Sequence, residues 1–171
     1  MIQYGNAPGT LAILTAVGDA LQSVPFNGVT GGPQGGPYTT GPTSLVRVVS
    51  GGLKDYTDSI PLGVVKLLTG PTERHAMGGV VWNRPMVTVR LAVGMTDAIA
   101  AEVNIAAIYD AYVPYFHTHA TLGNADEVFH SVIDGNSVRF GYTSVNRIEY
   151  RVLEFELQVS QAYAVTGGFQ P

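Results

Sequence analysis

The chain has 171 residues, a formal net charge of −4 and no cysteine. Its length suits one domain with a sizeable core, so we treat 1–171 as a single domain. Because non-specific nucleic-acid binding needs clustered Lys and Arg, the acidic balance argues against a DNA-reading protein. The absence of cysteine excludes disulfides and thiolate metal sites.

Charged residues are sparse: Lys, Arg, Asp and Glu make up 13% of the chain, where about 25% is usual. Since the buried centres of interfaces are depleted in charge, this favours a surface partly covered by other subunits, although a surface of Gly, Ser, Thr and Asn would also explain it. Residues 20–46 carry no charge, but Gly and Pro interrupt them and rule out a membrane span. The first residues lack the basic start and apolar core of a signal peptide, so we expect a soluble, intracellular product.

The N-terminal part predicts a helix followed by a loop. The helix covers about 7–25, with Thr10 as N-cap, Pro25 as stop, and apolar side chains at spacings of three and four, namely Leu11, Leu14, Val17, Leu21 and Val24. The segment 26–43 is rich in glycine and proline without periodic apolar residues, which predicts a long loop. Loops of this length are usually functional or disordered, so the segment is either a contact surface that orders on assembly or a plain flexible excursion.

A core of sheet and helix is expected over 44–165. Short apolar runs predict strands at 44–49, 63–68 and 79–82, although 63–68 equally suits a helical turn. In 86–93, apolar Val87, Val89 and Leu91 alternate with more polar positions. That alternation is typical of a half-buried strand.

A second helix is expected to begin at Thr96 and Asp97, with Thr96 as N-cap, and to run to about Val113. It carries two apolar stripes, one of Ile99, Val103, Ala106 and Val113, the other of Ala98, Ala101, Ile105, Ile108 and Tyr112. One stripe should face the sheet, and the other requires a loop, the first helix or a neighbouring subunit as cover. Because proline fits poorly inside a helix, Pro114 is expected to begin a kinked or separate segment that reaches residue 121.

The C-terminal third predicts short strands at 128–133 and 137–142, a long strand over 145–165 and a flexible tail at 166–171. In the long strand the apolar parity changes between Val152 and Leu153. A β-bulge explains that change, and so does a strand covered on different faces at its two ends. The element order lacks a βαβ repeat and therefore predicts an α+β fold, with one mainly antiparallel twisted sheet packed against two main helices.

The most metal-like stretch contains His117 and His119, followed by Asp126, Glu127 and His130. Two histidines at i and i+2 on a strand share a face, and a carboxylate would complete a site resembling that of the cupins, which are metal-binding jelly-roll barrels. The spacing to Glu127 is too long for that family, and no second cupin motif follows. We favour the alternative that His117 and His119 lie near a helix end and bond its last carbonyls.

Taken together, the elements resemble the tail terminator (tail completion) proteins of long-tailed bacteriophages. The resemblance is carried by the amphipathic N-terminal helix, the variable region after it, the strand MVTVRLAV that leads into the helix TDAIAAEVNIAAIYDAY, and the closing pair SVRFGYTSVNRIEYRVLEFELQV. It covers 11–165 at the level of pattern and includes no invariant catalytic motif.

The resemblance implies a structural protein without catalytic residues or cofactor. Such a protein forms a ring, expected to be a hexamer, that caps the tail tube, ends its polymerisation and presents a surface to the head-tail connector protein. It would lie at the head-proximal end of the virion tail after assembly in the host cytoplasm, and DNA would pass through without specific binding. Other head-tail joining, neck or tail tube proteins share this logic, and a cupin-like metal-binding enzyme is the more distant alternative.

Two groups of site residues follow from this interpretation. Ring contacts are expected from Arg90, Tyr150, Arg151, Phe155 and Leu157. Contacts with the tube or the connector are expected from the predicted loop, through Asn27, Gly31, Gln34 and Tyr38. Replacing Arg90 or Arg151 by Glu should then leave the monomer folded and dissociate the ring.

Overall fold

The computed structural model describes residues 10–32, 36–45, 47–49, 61–69, 75–77, 80–122 and 130–164. The elements are α1 (Thr10–Ser23), β1 (Phe26–Gly32), β2 (Gly36–Thr43), β3 (Arg47–Val49), β4 (Leu62–Thr69), β5 (His75–Met77), β6 (Val80–Asn83), β7 (Met86–Gly94), α2 (Ala98–Thr118), β8 (His130–Ile133), β9 (Arg139–Val145) and β10 (Ile148–Ala164). Two helices accompany a mainly antiparallel sheet, so the predicted α+β fold is confirmed. The predicted tail at 166–171 lies outside the described residues.

The sheet is organised around β10, which has 17 residues and is hydrogen-bonded along both edges. On one edge it pairs with β7 and then with β6, and on the other with β9 and β8. The pairing with β7 and with β6 has one register, because Gln158 opposes Met86 and Gln161 opposes Asn83. The two strands therefore act as one long partner interrupted at Pro85, whose carbonyl still accepts from the Val159 amide at 3.1 Å.

Both helices pack on one face of this sheet. The main core cluster joins side chains of both helices to those side chains of β7 and β10 that point to the helices. Its members include Ile13 of α1, Ile105 of α2, Val89 of β7, and Leu153 and Phe155 of β10. A smaller cluster lies on the opposite face, where Leu62, Val64 and Ala92 meet Tyr150 and Val152. These buried side chains account for most of the favourable free energy of folding, at roughly 25 cal/mol per Å² of apolar surface removed from water.

The two clusters explain the parity change in β10. Val152 belongs to the smaller cluster and Leu153 to the main one, and both are buried. The register with β7 is continuous from Tyr150 to Gln158, so no extra residue is inserted there. A β-bulge is therefore excluded in this stretch. The other prediction is confirmed, since β10 is buried on different faces of the sheet at its two ends.

The predicted loop at 26–43 is wrong, because β1 and β2 form an antiparallel hairpin there. Val29 opposes Thr40 and Thr30 opposes Thr39, so β-branched side chains face one another across the pair. Glycine and proline between these positions hide the alternation that usually identifies a strand. The hairpin is a separate two-stranded sheet that packs on α2.

The remaining strand predictions need smaller changes. The segment 63–68 is a strand and not a helical turn, since β4 pairs antiparallel with β7 along its length. The strand predicted at 44–49 is restricted to β3, which pairs in parallel with β4. β5 was not predicted; it pairs with β6 as a short hairpin.

Helix α2 differs from its prediction at both ends. Asp97, not Thr96, is the N-cap, because its carboxylate accepts from the Ile99 and Ala100 amides at 2.9 and 3.1 Å. The helix continues through Pro114 to Thr118, so no separate segment begins at the proline. Pro114 is exposed, and its carbonyl accepts from the Thr118 hydroxyl at 2.9 Å.

The hairpin of β9 and β10 closes through Asn146 and Arg147, both with positive φ, 51° and 67°. Two residues in this conformation give a turn whose twist matches that of the flanking strands. β8 and β9 are joined by a short 3₁₀ turn, Gly135–Ser137, whose N-cap Asp134 accepts from the Asn136 amide at 3.0 Å. The strands predicted at 128–133 and 137–142 thus correspond to β8 and β9, as far as the described residues reach.

The two helices are joined by the buried Tyr112 on α2. Its hydroxyl lies 2.9 Å from the Leu21 carbonyl oxygen and 2.7 Å from that of Val24, and it donates to this pair at the C-terminal end of α1. Burial raises the pKa of the Tyr112 phenol. The hydroxyl therefore remains a donor at neutral pH and satisfies carbonyls that have no partner within their own helix.

We predict that Tyr112→Phe lowers the free energy of unfolding by about 1–2 kcal/mol, because buried carbonyls lose their donor. Urea unfolding followed by circular dichroism measures the change. Tyr109→Phe is the matched control, since that ring is partly exposed on the same helix. Equal stability of the two variants would contradict the role of the Tyr112 hydroxyl.

Candidate functional site

One side of α2 presents an exposed apolar stripe. Ile99 is 62% exposed, Val103 is 42% exposed, and Ala106 and Tyr109 continue the stripe along the helix. It corresponds to the predicted stripe that needed further cover, except that Val113 is buried. The stripe that faces the sheet consists of Ala101, Ile105, Ile108 and Tyr112, as predicted, with Ala98 exposed instead.

The edge strand β9 extends this apolar surface. Phe140 and Tyr142 are 48% and 63% exposed on the helix side of β9, and the Phe140 ring lies 5.5 Å from the Tyr109 ring. Among the described residues, β9 pairs with β10 alone and leaves its outer edge open. We call the surface formed by Ile99, Val103, Ala106, Tyr109, Phe140 and Tyr142 the helix face. Open strand edges and contiguous apolar patches are both sites where another protein binds.

Arg151 links the β9 part of the helix face to α2. Its guanidinium lies 4.5 Å from the centre of the Tyr142 ring, and its Nη1 donates to the Gly141 carbonyl at 2.9 Å. Arg151 Nε forms an ion pair of 2.7 Å with Glu102 Oε1, without the alignment of a hydrogen bond. Glu102 also accepts from the Tyr142 hydroxyl at 3.1 Å. This network holds β9 against α2 and fixes the exposed aromatic rings.

Four of the five predicted ring-contact residues lie mainly inside the domain. Phe155 and Leu157 are fully buried, Tyr150 is buried in the smaller cluster, and the Arg151 side chain is only 13% exposed. The prediction that Tyr150, Phe155 and Leu157 present side chains to another subunit is therefore wrong. Arg151→Glu is also unsuitable as a test of the ring, because it would place a second carboxylate next to that of Glu102.

Arg90 lies on the other side of the sheet, away from the helices. It pairs across the strands with Glu154, to whose carboxylate its Nε donates at 2.6 Å. Arg139 opposes Glu154 from β9, so the carboxylate lies in a row between two arginines. Arg90, Arg139 and Glu154 line a groove of about 270 Å³ together with Gly141 and Thr143. We call this surface the open sheet face.

The hairpin of β1 and β2 is anchored to α2 by Asn104. The side chain of Asn104 accepts from the Val29 amide at 2.7 Å and donates to the Val29 carbonyl at 3.1 Å, as a neighbouring strand would. Gly28 allows this approach, since a Cβ at that position would lie 2.8 Å from Asn104 Oδ1. A second link joins Tyr38, whose hydroxyl donates to Asp97 at 2.9 Å.

The Asp97 carboxylate therefore has two functions, as cap of α2 and as acceptor for the hairpin. Its pKa lies below the usual value because the Ala100 amide, and next the Tyr38 hydroxyl, donate to it. The base of the hairpin and the outer side of α2 enclose a groove of about 590 Å³ lined mainly by Phe26, Val103, Ala106, Ala107 and Asp110. The helix face thus has the hairpin on one side and β9 on the other.

Three of the four predicted tube or connector contacts lie in the described part of this hairpin. Asn27 is exposed in β1, Tyr38 is 37% exposed in β2, and Gly31 lies in β1. Gln34 lies outside the described residues. Their contact with a tube or connector stays a prediction.

Two of the predicted histidines lie at the C-terminal end of α2. His117 is in the last turn of α2 and His119 is its C-cap, where Nδ1 lies 3.1 Å from the Tyr115 carbonyl oxygen, as the helix-end interpretation predicted. The His119 ring also stacks on Tyr115, with 4.2 Å between ring centres. Within the described ranges no three His, Asp or Glu side chains form a group that could hold a metal. Asp126 and Glu127 lie outside those ranges.

Several surface residues were missed by the sequence analysis, namely Asn104, Asp110, Arg139, Phe140 and Tyr142. Two aromatic side chains at i and i+2 in RFGYTS are a usable signal, because they share one face of the strand. The role of Asn104 has no local signal, since its partner Val29 is 75 residues away.

A scan against models of protein families found no match, and a search of curated proteins found none. None of the helices in the described residues is both long and apolar enough to cross a membrane.

We predict that Arg151→Lys destabilises the domain by about 1–3 kcal/mol, because lysine cannot reproduce the bond to Gly141, the ion pair and the ring contacts together. Urea unfolding measures the loss. Arg147→Lys, at the exposed turn, is the control and should change stability by no more than about 0.5 kcal/mol. If Arg151→Lys were equally neutral, the network would not hold β9 against α2.

We predict that Asn104→Ala loosens the hairpin without unfolding the sheet. Amide hydrogen exchange in 26–43 should become about tenfold faster, because two hydrogen bonds to Val29 are lost, whereas exchange in β10 stays unchanged. Gln22→Ala on the exposed side of α1 is the control. Unchanged exchange in the hairpin would show that Asn104 is not its anchor.

Proposed function

We propose that the protein is a structural component of a phage tail, which forms a ring on the tail tube, ends tube polymerisation and presents a surface to the head-tail connector. The sequence pattern motivates the tail terminator assignment. The observation that carries the assembly role is the helix face, where large apolar side chains are exposed beside an open strand edge. The virion tail as location, and the host cytoplasm as place of assembly, belong to the same proposal.

The helix face supports self-assembly because the domain does not need it for its own core. The buried clusters are built from other residues of α1, α2 and the sheet. Exposed Ile99, Val103, Phe140 and Tyr142 would lose unfavourable contact with water in an interface, at roughly 25 cal/mol per Å² buried. Aromatic residues of this kind are enriched at such contacts.

The network around Arg151 supports the same role. An exposed aromatic side chain that is held by a cation and a hydrogen bond loses less conformational entropy on binding than a mobile one. Tyr142 is held in both ways, by Arg151 and by Glu102. The surface is therefore preorganised for a rigid partner, as expected for a permanent assembly.

The hairpin provides the second surface of the proposal. It carries no charged residue, it is separate from the main sheet, and it is held mainly through α2. These properties suit an arm that meets a different protein, the tail tube subunit or the connector. DNA would pass through the ring without specific binding, since the chain has a net charge of −4.

We predict that the purified protein forms a ring of about six copies, and that Val103→Glu converts it to a folded monomer, because a carboxylate would be buried in the interface. Light scattering after gel filtration gives the mass, and circular dichroism confirms folding. Gln22→Glu is the control, because it adds the same charge to an exposed position of α1.

Electron microscopy with purified tail tubes tests the function itself. Single rings at one end of each tube, which prevent further growth, are expected for a terminator. Stacked rings that build a tube would instead assign the protein to the tail tube class. A wild-type protein that remains monomeric at high concentration and does not bind tubes would contradict the proposal.

A further inference from the structure

We infer that adjacent subunits contact each other through two different surfaces, the helix face of one copy and the open sheet face of the next, with Asp110 opposite Arg139. The inference rests on the proposed self-assembly and specifies which surfaces meet. Its basis is the charge on the two faces. Each presents an exposed charged side chain that forms no ion pair within the described part of the chain, Asp110 beside the helix face and Arg139 on the open sheet face.

The helix face is apolar and acidic. Residues 98–118 contain Glu102 and Asp110 but no Lys or Arg. Glu102 already forms an ion pair with Arg151 of the same chain. Asp110 is exposed and lines the grooves on both sides of the helix, and no described side chain forms an ion pair with it. A carboxylate that becomes buried beside an apolar surface is unfavourable in an interface unless the partner supplies a cation.

The open sheet face supplies such a cation. Its described charged side chains are Lys66, Arg90 and Arg139 against Glu154 and Glu156. Arg90 forms an ion pair with Glu154. The Glu154 carboxylate therefore lies between two guanidinium groups, of Arg90 and Arg139, and is paired with the first. Arg139 is exposed, and its guanidinium has no ion-pair partner in the described part of the chain.

The groove beside Arg139 has the size and chemistry for an acidic side chain. It measures about 270 Å³ and is lined by Arg90 with its partner Glu154, by Arg139, and by the small residues Gly141 and Thr143. Since Gly141 has no side chain, a partner can approach the strand closely there. A planar guanidinium binds a carboxylate through two parallel hydrogen bonds. The pair therefore fixes the orientation of the two side chains and also attracts them to each other.

The two faces lie on opposite sides of one sheet. Helix α2 packs on the side of Leu153 and Phe155, whereas Arg90, Glu154 and Arg139 are on the other side. A two-fold contact would bring each face against its own copy, with Asp110 near Asp110 or Arg139 near Arg139. Contact between unlike faces avoids this repulsion, and such heterologous contacts generate rings when the rotation closes. The occupant of each face is therefore a second copy of this chain.

Charge reversal tests the pairing. Asp110→Arg alone and Arg139→Glu alone should each weaken association at least about tenfold, since like charges meet in the interface. The double variant with both changes should recover the wild-type mass by light scattering. Asp19→Arg on α1 and Arg147→Glu at the turn are the controls, because both positions are exposed outside the two faces.

Mixing the two single variants tests whether unlike faces can pair to form a closed ring. An equimolar mixture of the two single variants should reassemble, because every interface in an alternating ring then joins opposite charges. Failure to reassemble would overturn the inference. Unchanged rings in both single variants would also overturn it, while self-assembly itself would remain established.

A monomeric wild-type protein would instead refute the proposed function, and the inference with it. Circular dichroism confirms that each variant is folded. If a reversed variant unfolds, Asp110→Asn and Arg139→Gln replace the reversals, and each should weaken association several-fold relative to its own control, Asp19→Asn or Arg147→Gln. No weakening by these milder changes would overturn the inference.

Discussion

The pairing of β10 on both edges is the constraint on which the rest of the structure depends. One register with β7 and β6 fixes which side chains point to the helices and which to the open side. A shift by one residue would move Phe155 and Leu157 out of the main core and place Glu154 and Glu156 into it. The helix face and the open sheet face are therefore consequences of the same register as the core.

Both proposed contact surfaces depend on β10 through single side chains. Arg151 points to the helix side and holds the aromatic rings of β9, whereas Glu154 points to the other side and separates Arg90 from Arg139. Side chains of β10 thus hold the aromatic rings of the helix face in place and contribute a negative charge to the open sheet face. Because both surfaces are built on one sheet, they keep a constant spacing.

Strong periodicity made much of the fold predictable. The alternation in β7 and the i, i+3, i+4 spacing in both helices gave the correct elements, because burial of one face repeats locally along the chain. The hairpin of β1 and β2 was missed because its pairing joins threonine, valine and glycine without an apolar repeat. Pro114 was given too much weight as a helix breaker: its exposed position on α2 lets the helix continue.

The site was less predictable than the fold, for a physical reason. Period-2 alternation tells which side chains share a face, but not which face the helices cover. Phe155 and Leu157 were therefore assigned to a subunit contact although they belong to the core, and Phe140 and Tyr142 were overlooked. The anchor of Asn104 to Val29 and the row through Glu154 join distant segments, so no local pattern indicates them.

The position of β10 in the chain has a consequence for biosynthesis. Residues after 148 leave the ribosome only when β7, β8 and β9 have already been made. Until then these strands lack the central partner to which all three are hydrogen-bonded. A nascent chain therefore carries unpaired strand edges until β10 has been made, and exposed edges of this kind promote aggregation. Cellular yield should accordingly depend on how fast β10 is synthesised and on chaperones that shield the unfinished sheet.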